Sequence, residues 1–395
     1  MGQADERELV ELIKNAVHTE RLVETAVGLI EVPSPTRDGG AVANRLEEIL
    51  AADGFEVDRP DAGWPSAPAV AARLDSGRDG KTLQFDGHLD TVHLPFVAPR
   101  VENGLIYGSG SCDMKAGVAA AVEAIRVLKE TGLLTAGSVL LTAHDLHEAP
   151  WGDGAQLDGL IDEGYVGDGV LIPEYQCDQI AVIGRGLAVL EIEVTRDGEP
   201  VHEVRGGIEQ PSVILAGAEL LKRFSELDKR VAVKTHPMAG RESLFVGQAH
   251  GGEIYNQAPT LFEISATRRW LPGASVDDVE AEYRQLLSDT AAATSTHIKG
   301  TFQLVRDSFQ LDADDPLVET FQSAFRTMSG GALPIGAKPF VDDGNTFSSR
   351  AGVPAITHGP NGKGAHTLHE EVPIEELVRV AELYALTAVR FCSIA

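Results

Sequence analysis

Cysteine and basic residues are both scarce in this chain of 395 residues. The cysteines are Cys112, Cys177 and Cys392, and no two of them have the spacing of a paired framework. This pattern excludes a disulfide-stapled scaffold and fits a reducing compartment, so we expect a cytoplasmic protein. Lysine and arginine number 33 against 60 aspartates and glutamates, a formal net charge of -27. A chain this acidic lacks the basic surface that phosphate backbones require, which excludes nucleic acid as a partner.

Long apolar runs are absent as well. No stretch approaches the ~18 consecutive apolar residues of a membrane span, so we expect no membrane partner. The N-terminal sequence has helical periodicity but no basic start followed by an apolar core, and we therefore expect no signal peptide. The chain also lacks fixed-period repeats. With 43% hydrophobic and 24% charged residues, it has an ordinary globular composition and a length that suits two or three domains.

Strands and helices alternate over most of the chain, which predicts an α/β fold with a mostly parallel sheet. Helices are predicted over residues 5–31 and 40–53, and a strong helix begins near "DMKAG" and ends at Gly132. The apolar runs "KTLQFDGH", "GSVLLTAHD" and "DGVLIPE" are predicted to be strands. Because ligands of such sheets gather beyond the carboxyl ends of the strands, those ends are where a site is expected.

The pattern changes near Gly184, where a strand with alternating apolar and polar residues begins. From there the order is strand, helix, strand, strand, helix, strand, which is the order of a ferredoxin-like α+β domain. We predict that residues 184–311 form this inserted domain. Residues 1–183 and 312–395 then form one discontinuous catalytic domain, which closes with a helix over 373–391.

Side chains of the types that bind metals stand at the ends of several predicted elements. His88 ends a strand, and Asp90 lies two residues on, where a carboxylate can hydrogen-bond the imidazole and fix its tautomer. Each of these residues alone has an ordinary structural explanation, and their shared placement indicates a metal site. The other candidates are Asp113 ahead of the strong helix, Glu148 and Glu174 after strands, and His366 before the last helix.

Three segments resemble the M20 metallopeptidase family, which includes acetylornithine deacetylase, succinyl-diaminopimelate desuccinylase, aminoacylase and carboxypeptidase G2. "GHLDTV" is similar to the family's H-x-D-T-V, and "YGSGSCDMKAG" is similar to its G-R-G-x-x-D-x-K-G block. "HGPNGKGAHTLHEEV" is similar to its G-P-G…H-x-x-x-E ending. The segments occur in the family's order, and the similarity includes the inserted domain.

The resemblance implies two divalent metals, usually zinc, with manganese or cobalt as alternatives. Asp113 would bridge them, His88 with one carboxylate would hold the first, and His366 with another carboxylate would hold the second. Asp90 would orient His88, and a glutamate would act as general base on the attacking water. The implied metal ligands are therefore His88, Asp113, Glu174 and His366. The family also has a cis peptide after the bridging aspartate, which predicts one between Asp113 and Met114.

One segment departs from the family, which usually has two adjacent glutamates, the first a base and the second a ligand. This chain has His147, Glu148 and Ala149 there. Counting back from "GDGA" makes Glu148 the base and places Ala149 at the ligand position, and we adopt this count. The alternative count makes Glu148 the ligand and leaves His147 as a candidate base. Because a carboxylate is missing, we expect one tight metal site and a weak second one, unless His144, Asp145 or His147 compensates.

In the inserted domain the resemblance implies further roles for three residues. His202 would reach the active site of a partner subunit, which implies a homodimer or higher homo-oligomer assembled through residues 184–311. Asn256 and Arg269 would bind a substrate carboxylate or stabilise the oxyanion, since attack on an amide builds negative charge on oxygen. The neighbouring Arg268 is the alternative to Arg269.

The expected activity is hydrolysis of an amide C–N bond in a small, carboxylate-bearing substrate, with an N-acyl amino acid or dipeptide-like amide as the default. One alternative is hydrolytic deamination of a small amine, for which Trp151 would offer an aromatic stacking surface. A second alternative is a non-catalytic binding protein built on the same fold. The sequence does not select the substrate, because fold and metal site do not set specificity.

Overall fold

The computed structural model describes residues 3–394, which divide into two compact units. The first unit contains the chain up to Val182, then Leu311–Gly336, and the chain from Asp342 onward. The second unit contains Ile183–Gln310 and the short segment Ala337–Val341. The main boundaries of these units differ by one residue from the predicted limits at 183 and 311. Nothing in the sequence predicted that the segment Ala337–Val341 belongs to the second unit.

The first unit is built on a six-stranded sheet in which the three strand pairs at one side are parallel. The two pairs at the other side are antiparallel. The predicted α/β class with a mostly parallel sheet is therefore confirmed, with an antiparallel side that was not predicted. In spatial order the strands are Val57–Asp58, Val70–Asp75, Ser138–His144, Thr82–His88, Gly169–Ile172 and Ala355–Thr357.

The helices of this unit differ from the predicted ones mainly at the N-terminus. The single helix predicted over 5–31 is two helices, because His18 has extended backbone angles and begins the second helix as its N-cap. The helix Ala155–Asp162 was not predicted. The helices are Gln3–Ala16, Thr19–Ile30, Gly40–Ala52, Lys115–Thr131, Ala155–Asp162, Pro316–Ser329, Asp343–Thr346 and Ile374–Cys392, with a π-helical segment Phe347–Ala351.

Two small three-stranded sheets contain the other strands of the first unit. One consists of Glu371–Pro373, Leu105–Tyr107 and Arg100–Glu102, all antiparallel. The other consists of Phe309–Gln310, Ile180–Gly184 and Ile335–Lys338, and these are the strands in which the chain passes between the units.

The helix Lys115–Thr131 is the most buried helix of the first unit. It is rich in alanine and valine, and every side chain from Lys115 to Leu128 is buried. It ends as predicted at Gly132, which takes a left-handed conformation with φ of 65° and donates its N–H to the carbonyl of Leu128. The apolar core around it includes Phe85 and Tyr384. This packing holds the N-terminus of the helix, next to Asp113, against the ends of the central strands.

The second unit has the predicted ferredoxin-like order and is confirmed as an α+β domain. Its four-stranded antiparallel sheet has the spatial order Ser243–Gly251, Leu261–Trp270, Gly186–Thr195 and His297–Arg306. The helices Val213–Val231 and Val276–Thr294 pack on it, and Ser212 caps the first by accepting the N–H of Leu215. The remaining short strands pair Val201–His202 with Gln257–Ala258 and Thr235–His236 with Gly240–Arg241.

None of the helices within residues 3–394 is long and apolar enough to cross a membrane.

Gly117 is the point of closest approach between the buried helix and the strand that leads to Glu174. A Cβ atom at Gly117 would lie 2.0 Å from the carbonyl oxygen of Pro173. We predict that Gly117→Ala lowers the free energy of unfolding by ~1–3 kcal/mol through overpacking, although alanine is the better helix former by ~1 kcal/mol. Thermal denaturation measures the effect. Gly331→Ala is the matched control, because a Cβ there meets open space; equal melting temperatures for both variants would contradict the prediction.

Candidate metal centre

The first group of ligand-type side chains joins the ends of two neighbouring strands to the loop before the buried helix. His88 is the last residue of Thr82–His88, and its Nε2 lies 3.1 Å from Asp113 Oδ1 and 3.4 Å from Glu174 Oε1. Glu174 follows strand Gly169–Ile172, which is parallel to the His88 strand. All three side chains are buried. The parallel strand ends thus place one imidazole nitrogen and two carboxylate oxygens around a single point.

The hydrogen bond at Nδ1 of His88 determines whether Nε2 carries a proton or a lone pair in the neutral ring. Nδ1 lies 2.9 Å from the backbone carbonyl oxygen of Asp90, which can only accept a hydrogen bond. In the neutral imidazole the proton is therefore on Nδ1, and the lone pair of Nε2 is directed at Asp113 and Glu174. Asp90 was predicted to orient His88, and its carbonyl is the nearer partner, because its carboxylate is 3.6 Å away.

The carboxylate of Asp90 instead holds the loop after the adjacent strand. It accepts the backbone N–H groups of His147 at 3.1 Å and of Glu148 at 2.9 Å. The loop turns at Leu146, which has a φ of 68°. These contacts determine the direction in which the side chains of His147 and Glu148 leave the backbone.

The second group of ligand-type side chains shares Asp113 with the first. His366 Nε2 lies 3.2 Å from Asp113 Oδ2 and 3.2 Å from Glu148 Oε2. Glu148 is buried, whereas the side chain of His366 is 57% exposed and its residue has a φ of 60°. The two oxygens of Asp113 therefore face two different histidines, which is the arrangement of a bridging carboxylate.

Backbone contacts hold Asp113 in this bridging orientation. Glu370 accepts the N–H groups of Cys112 and Asp113 at 3.1 and 3.2 Å. The peptide bond between Asp113 and Met114 is cis, as predicted. The loop that carries the shared carboxylate is thus fixed from the side of the last helix.

The negative charge of the carboxylates in these two groups favours the binding of a cation. Hydrogen bonds to Asp113 and Glu148 raise the pKa of His366 to about 10. Burial and the neighbouring charge of Asp113 raise the pKa of Glu174 above its usual value. Glu174 Oε2 is buried and has no hydrogen-bond partner. Two imidazoles and three carboxylates with these spacings are a donor set that fits divalent ions such as zinc.

The placement of Glu148 bears on the count adopted from the sequence. That count made Glu148 the base and left Ala149 where a carboxylate ligand was expected. The geometry favours the alternative count instead, because Glu148 contacts His366 and so completes the second group of ligands. Loop length alone does not reveal the turn at Leu146 or the hydrogen bonds that Asp90 accepts from the N–H groups of His147 and Glu148, so this contact of Glu148 could not be predicted from the count.

His147 lies beside the first group. Its ring stacks on His88 with 4.0 Å between centroids, and its Nε2 is 3.9 Å from Glu174 Oε1. Its Nδ1 is 2.9 Å from Asp343 Oδ2. The sequence analysis identified His147 as the alternative base and as one of three residues that could compensate for a missing ligand. It missed Asp343, whose one signal is the acidic pair in "VDDGN" between predicted elements.

The three candidates of the second unit are arranged as follows. Asn256 Nδ2 lies 2.9 Å from His202 Nε2; His202 is exposed and Asn256 is half-buried. Arg268 is on the buried face of strand Leu261–Trp270 and pairs with Glu242 at 2.6 Å. Arg269 is on the other face, and burial together with the nearby Arg185 lowers its pKa. Arg268 is therefore engaged in an ion pair inside the unit.

Comparison with known proteins agrees with this geometry. The family model for peptidase family M20/M25/M40 matches residues 85–390. Succinyl-diaminopimelate desuccinylase of Methylobacterium sp. is 28% identical over 381 residues, covering 91% of this chain and 93% of that protein. N-formyl-4-amino-5-aminomethyl-2-methylpyrimidine deformylase of Bacillus subtilis is 24% identical, covering 95% of this chain and 96% of that protein.

Solved structures show the same fold. Aminopeptidase PepT from Bacillus cereus has a TM-score of 0.77 at 22% identity, covering 95% of this chain and 99% of that one. The Bacillus subtilis YXEP protein, described as a dinuclear metal-binding peptidase, has a TM-score of 0.68 at 16% identity, covering 95% and 99%. The chain belongs to peptidase family M20/M25/M40, and it is accordingly a hydrolase that acts on C–N bonds.

Proposed function

We propose that this protein hydrolyses the amide bond of a small, carboxylate-bearing N-acyl amino acid or dipeptide-like substrate. The observation that carries the proposal is the shared carboxylate of Asp113. It joins two groups of ligand-type side chains, and His147 lies beside them with its Nδ1 2.9 Å from Asp343 Oδ2. Two relatives that match most of the chain are a desuccinylase and a deformylase, and removal of a succinyl or formyl group is the same type of bond cleavage.

In this proposal His88, Asp113 and Glu174 hold one ion, and Asp113, Glu148 and His366 hold the other. Divalent ions held there would supply Lewis acidity, which polarises a carbonyl and lowers the pKa of water toward ~7. The chain's own contribution is to fix the positions of these groups. Asp90 and Glu370 do so by holding the backbone on either side of the centre.

His147 is proposed as the general base in place of the usual glutamate. Its Nδ1–H donates to the carboxylate of Asp343, so the lone pair is on Nε2. That nitrogen is on the side of the ring nearer Glu174. It can take a proton from the attacking water and return it to the departing amine. Glu148, which the sequence analysis predicts to be the base, is instead proposed as a ligand.

Arg269 and Asn256 are proposed to bind the substrate carboxylate or the developing oxyanion, and His202 is proposed to serve the site of a partner subunit. Arg269 is suited to this role because no carboxylate among residues 3–394 pairs with it, whereas Arg268 pairs with Glu242. A planar guanidinium recognises a carboxylate through two parallel hydrogen bonds.

The two assignments of Glu148, as base or as ligand, predict opposite results for the matched variants His147→Gln and Glu148→Gln. We expect His147→Gln to lower kcat by ~10²–10⁴-fold with an unchanged metal content, because it removes a base and no ligand. We expect Glu148→Gln to lose about one ion per chain by elemental analysis, because it removes a ligand. His297→Gln is the control, since that histidine is exposed in the second unit. Full metal content in Glu148→Gln together with near-normal kcat in His147→Gln would instead support the assignment of Glu148 as the base.

A substrate panel tests the reaction class. We expect release of a carboxylic acid from N-succinyl, N-acetyl or N-formyl amino acids, or of amino acids from dipeptides. The second candidate is deamination of an aromatic amine, which is favoured by the exposed Trp151 stacked on His93 at 4.0 Å. Ammonia release from aromatic amines with no acid release from the amides would select deamination and reject the main proposal.

The protein is further proposed to be a homodimer through the second unit. Strand Ser243–Gly251 is the outer strand of the four-stranded sheet, and Phe245 on it is 66% exposed. Leu215 on the adjacent helix is 71% exposed. An outer strand with exposed apolar side chains suits two-fold pairing with a copy of itself, in which both subunits use the same surface.

Subunit exchange tests whether His202 acts in a partner's site. We expect a mixture of inactive His202→Ala and Glu148→Ala chains to regain part of the activity, because some mixed dimers contain one intact site. Activity is measured after exchange has been demonstrated with differently tagged chains. Failure to regain activity, with both single variants folded, would exclude a contribution of His202 across the interface.

A further inference from the structure

A third group of ligand-type side chains lies deeper in the first unit and is called here the inner triad: Asp86, His144 and Asp343. Asp86 is on strand Thr82–His88, His144 ends the adjacent parallel strand Ser138–His144, and Asp343 begins the short helix Asp343–Thr346. His144 is 1% exposed, and the two aspartates are fully buried. None of the three is among the ligands of the two groups around Asp113.

The ring of His144 repeats the arrangement of His88. Its Nδ1 lies 3.0 Å from the backbone carbonyl oxygen of Asp145, so the neutral ring carries its proton on Nδ1. Its Nε2 lies 3.4 Å from Asp86 Oδ2 and 3.3 Å from Asp343 Oδ2. A lone pair then faces two carboxylate oxygens, which is unfavourable unless a proton or a metal cation lies between them.

Two polar atoms of the triad, one on His144 and one on Asp86, lack the hydrogen bonds that burial usually requires. His144 Nε2 and Asp86 Oδ2 are buried and have no hydrogen-bond partner. A buried polar atom without a hydrogen-bond partner destabilises the folded state, and more so when it is charged. Burial lowers the pKa of His144, but Asp343 and Asp86 raise it well above its usual value. The same negative charge that attracts a proton to this atom also attracts a metal cation.

The spacing of the three atoms fits zinc. Ligand atoms at 2.0–2.2 Å from a tetrahedral zinc are separated by about 3.4 Å. The inner triad has separations of 3.3 and 3.4 Å from its histidine nitrogen, and the two groups around Asp113 have 3.1 to 3.4 Å. The three atoms also lie within 4.8 Å of one another.

We propose that Asp86, His144 and Asp343 bind a third divalent metal ion, with zinc as the best match to one imidazole and two carboxylates. Thr142 supports the site by donating its hydroxyl to Asp86 Oδ1, which leaves Oδ2 to the ion. Asp343 Oδ2 also contacts His147 Nδ1, so the ion holds the carboxylate that orients the proposed base. Its role is structural, since no part of the triad is exposed for substrate.

Metal content and anomalous scattering test this site without reference to activity. The wild-type protein, loaded with zinc chloride and dialysed, is expected to contain about one more ion per chain than Asp86→Asn. Asp113→Asn, which removes the shared carboxylate, is expected to keep the inner ion. Asp278→Asn, an exposed change in the second unit, is the control and should match the wild type.

A crystal of the wild type at the zinc absorption edge keeps the proposal testable if Asp86→Asn does not fold. An anomalous peak between Asp86 Oδ2, His144 Nε2 and Asp343 Oδ2 is expected. Absence of that peak, with peaks present at Asp113, would overturn the proposal and identify the triad as a protonated His144 between two carboxylates. Metal content and anomalous scattering do not depend on turnover. These measurements can therefore disprove the third ion while the proposed hydrolase activity is retained, and the activity can be disproved while the third ion is retained.

Discussion

The carboxylate of Asp113 is shared between two histidines that are far apart in the chain, His88 and His366. This sharing is the constraint on which the arrangement of the first unit depends. It requires the N-terminus of a buried helix, the end of a central strand and the loop before the last helix to meet at one residue. Glu370 and the close approach of Gly117 to Pro173 fix that meeting point by backbone contacts.

Polar and ionisable side chains continue inward from this centre along one face of two parallel strands. Gln84, Asp86 and His88 alternate on one strand, and Thr142 and His144 pair with Asp86 and His88 on the next. Placing such groups in the core costs several kcal/mol per uncompensated ion, so a sequence selected for stability alone would have apolar residues there. The opposite face of the same strand carries Leu83 and Phe85 and packs in the apolar core.

Much of this architecture could be predicted from the sequence. Alternating strands and helices, the change near Gly184 and the ferredoxin-like order depend on local periodicity, which burial of one face imposes directly. Local signals were weaker at the N-terminus, where nothing in the helical pattern marked the break at His18. Polar residues at alternate positions in "LQFDGH" and "TAH" were visible in the sequence too. They were interpreted as part of a strand pattern and not as ligands of a further metal ion.

The sequence by itself determined which residue types stand at the strand ends, because a parallel sheet exposes that edge for any chain with this order of elements. It left open whether Glu148 stands at the base position or at the ligand position, and it did not reveal the contact of His147 with Asp343. Those depend on the turn at Leu146 and on the N–H groups held by Asp90, 57 and 58 residues away. Contacts between distant residues leave no periodic trace, so only the tertiary structure determines which way each side chain points.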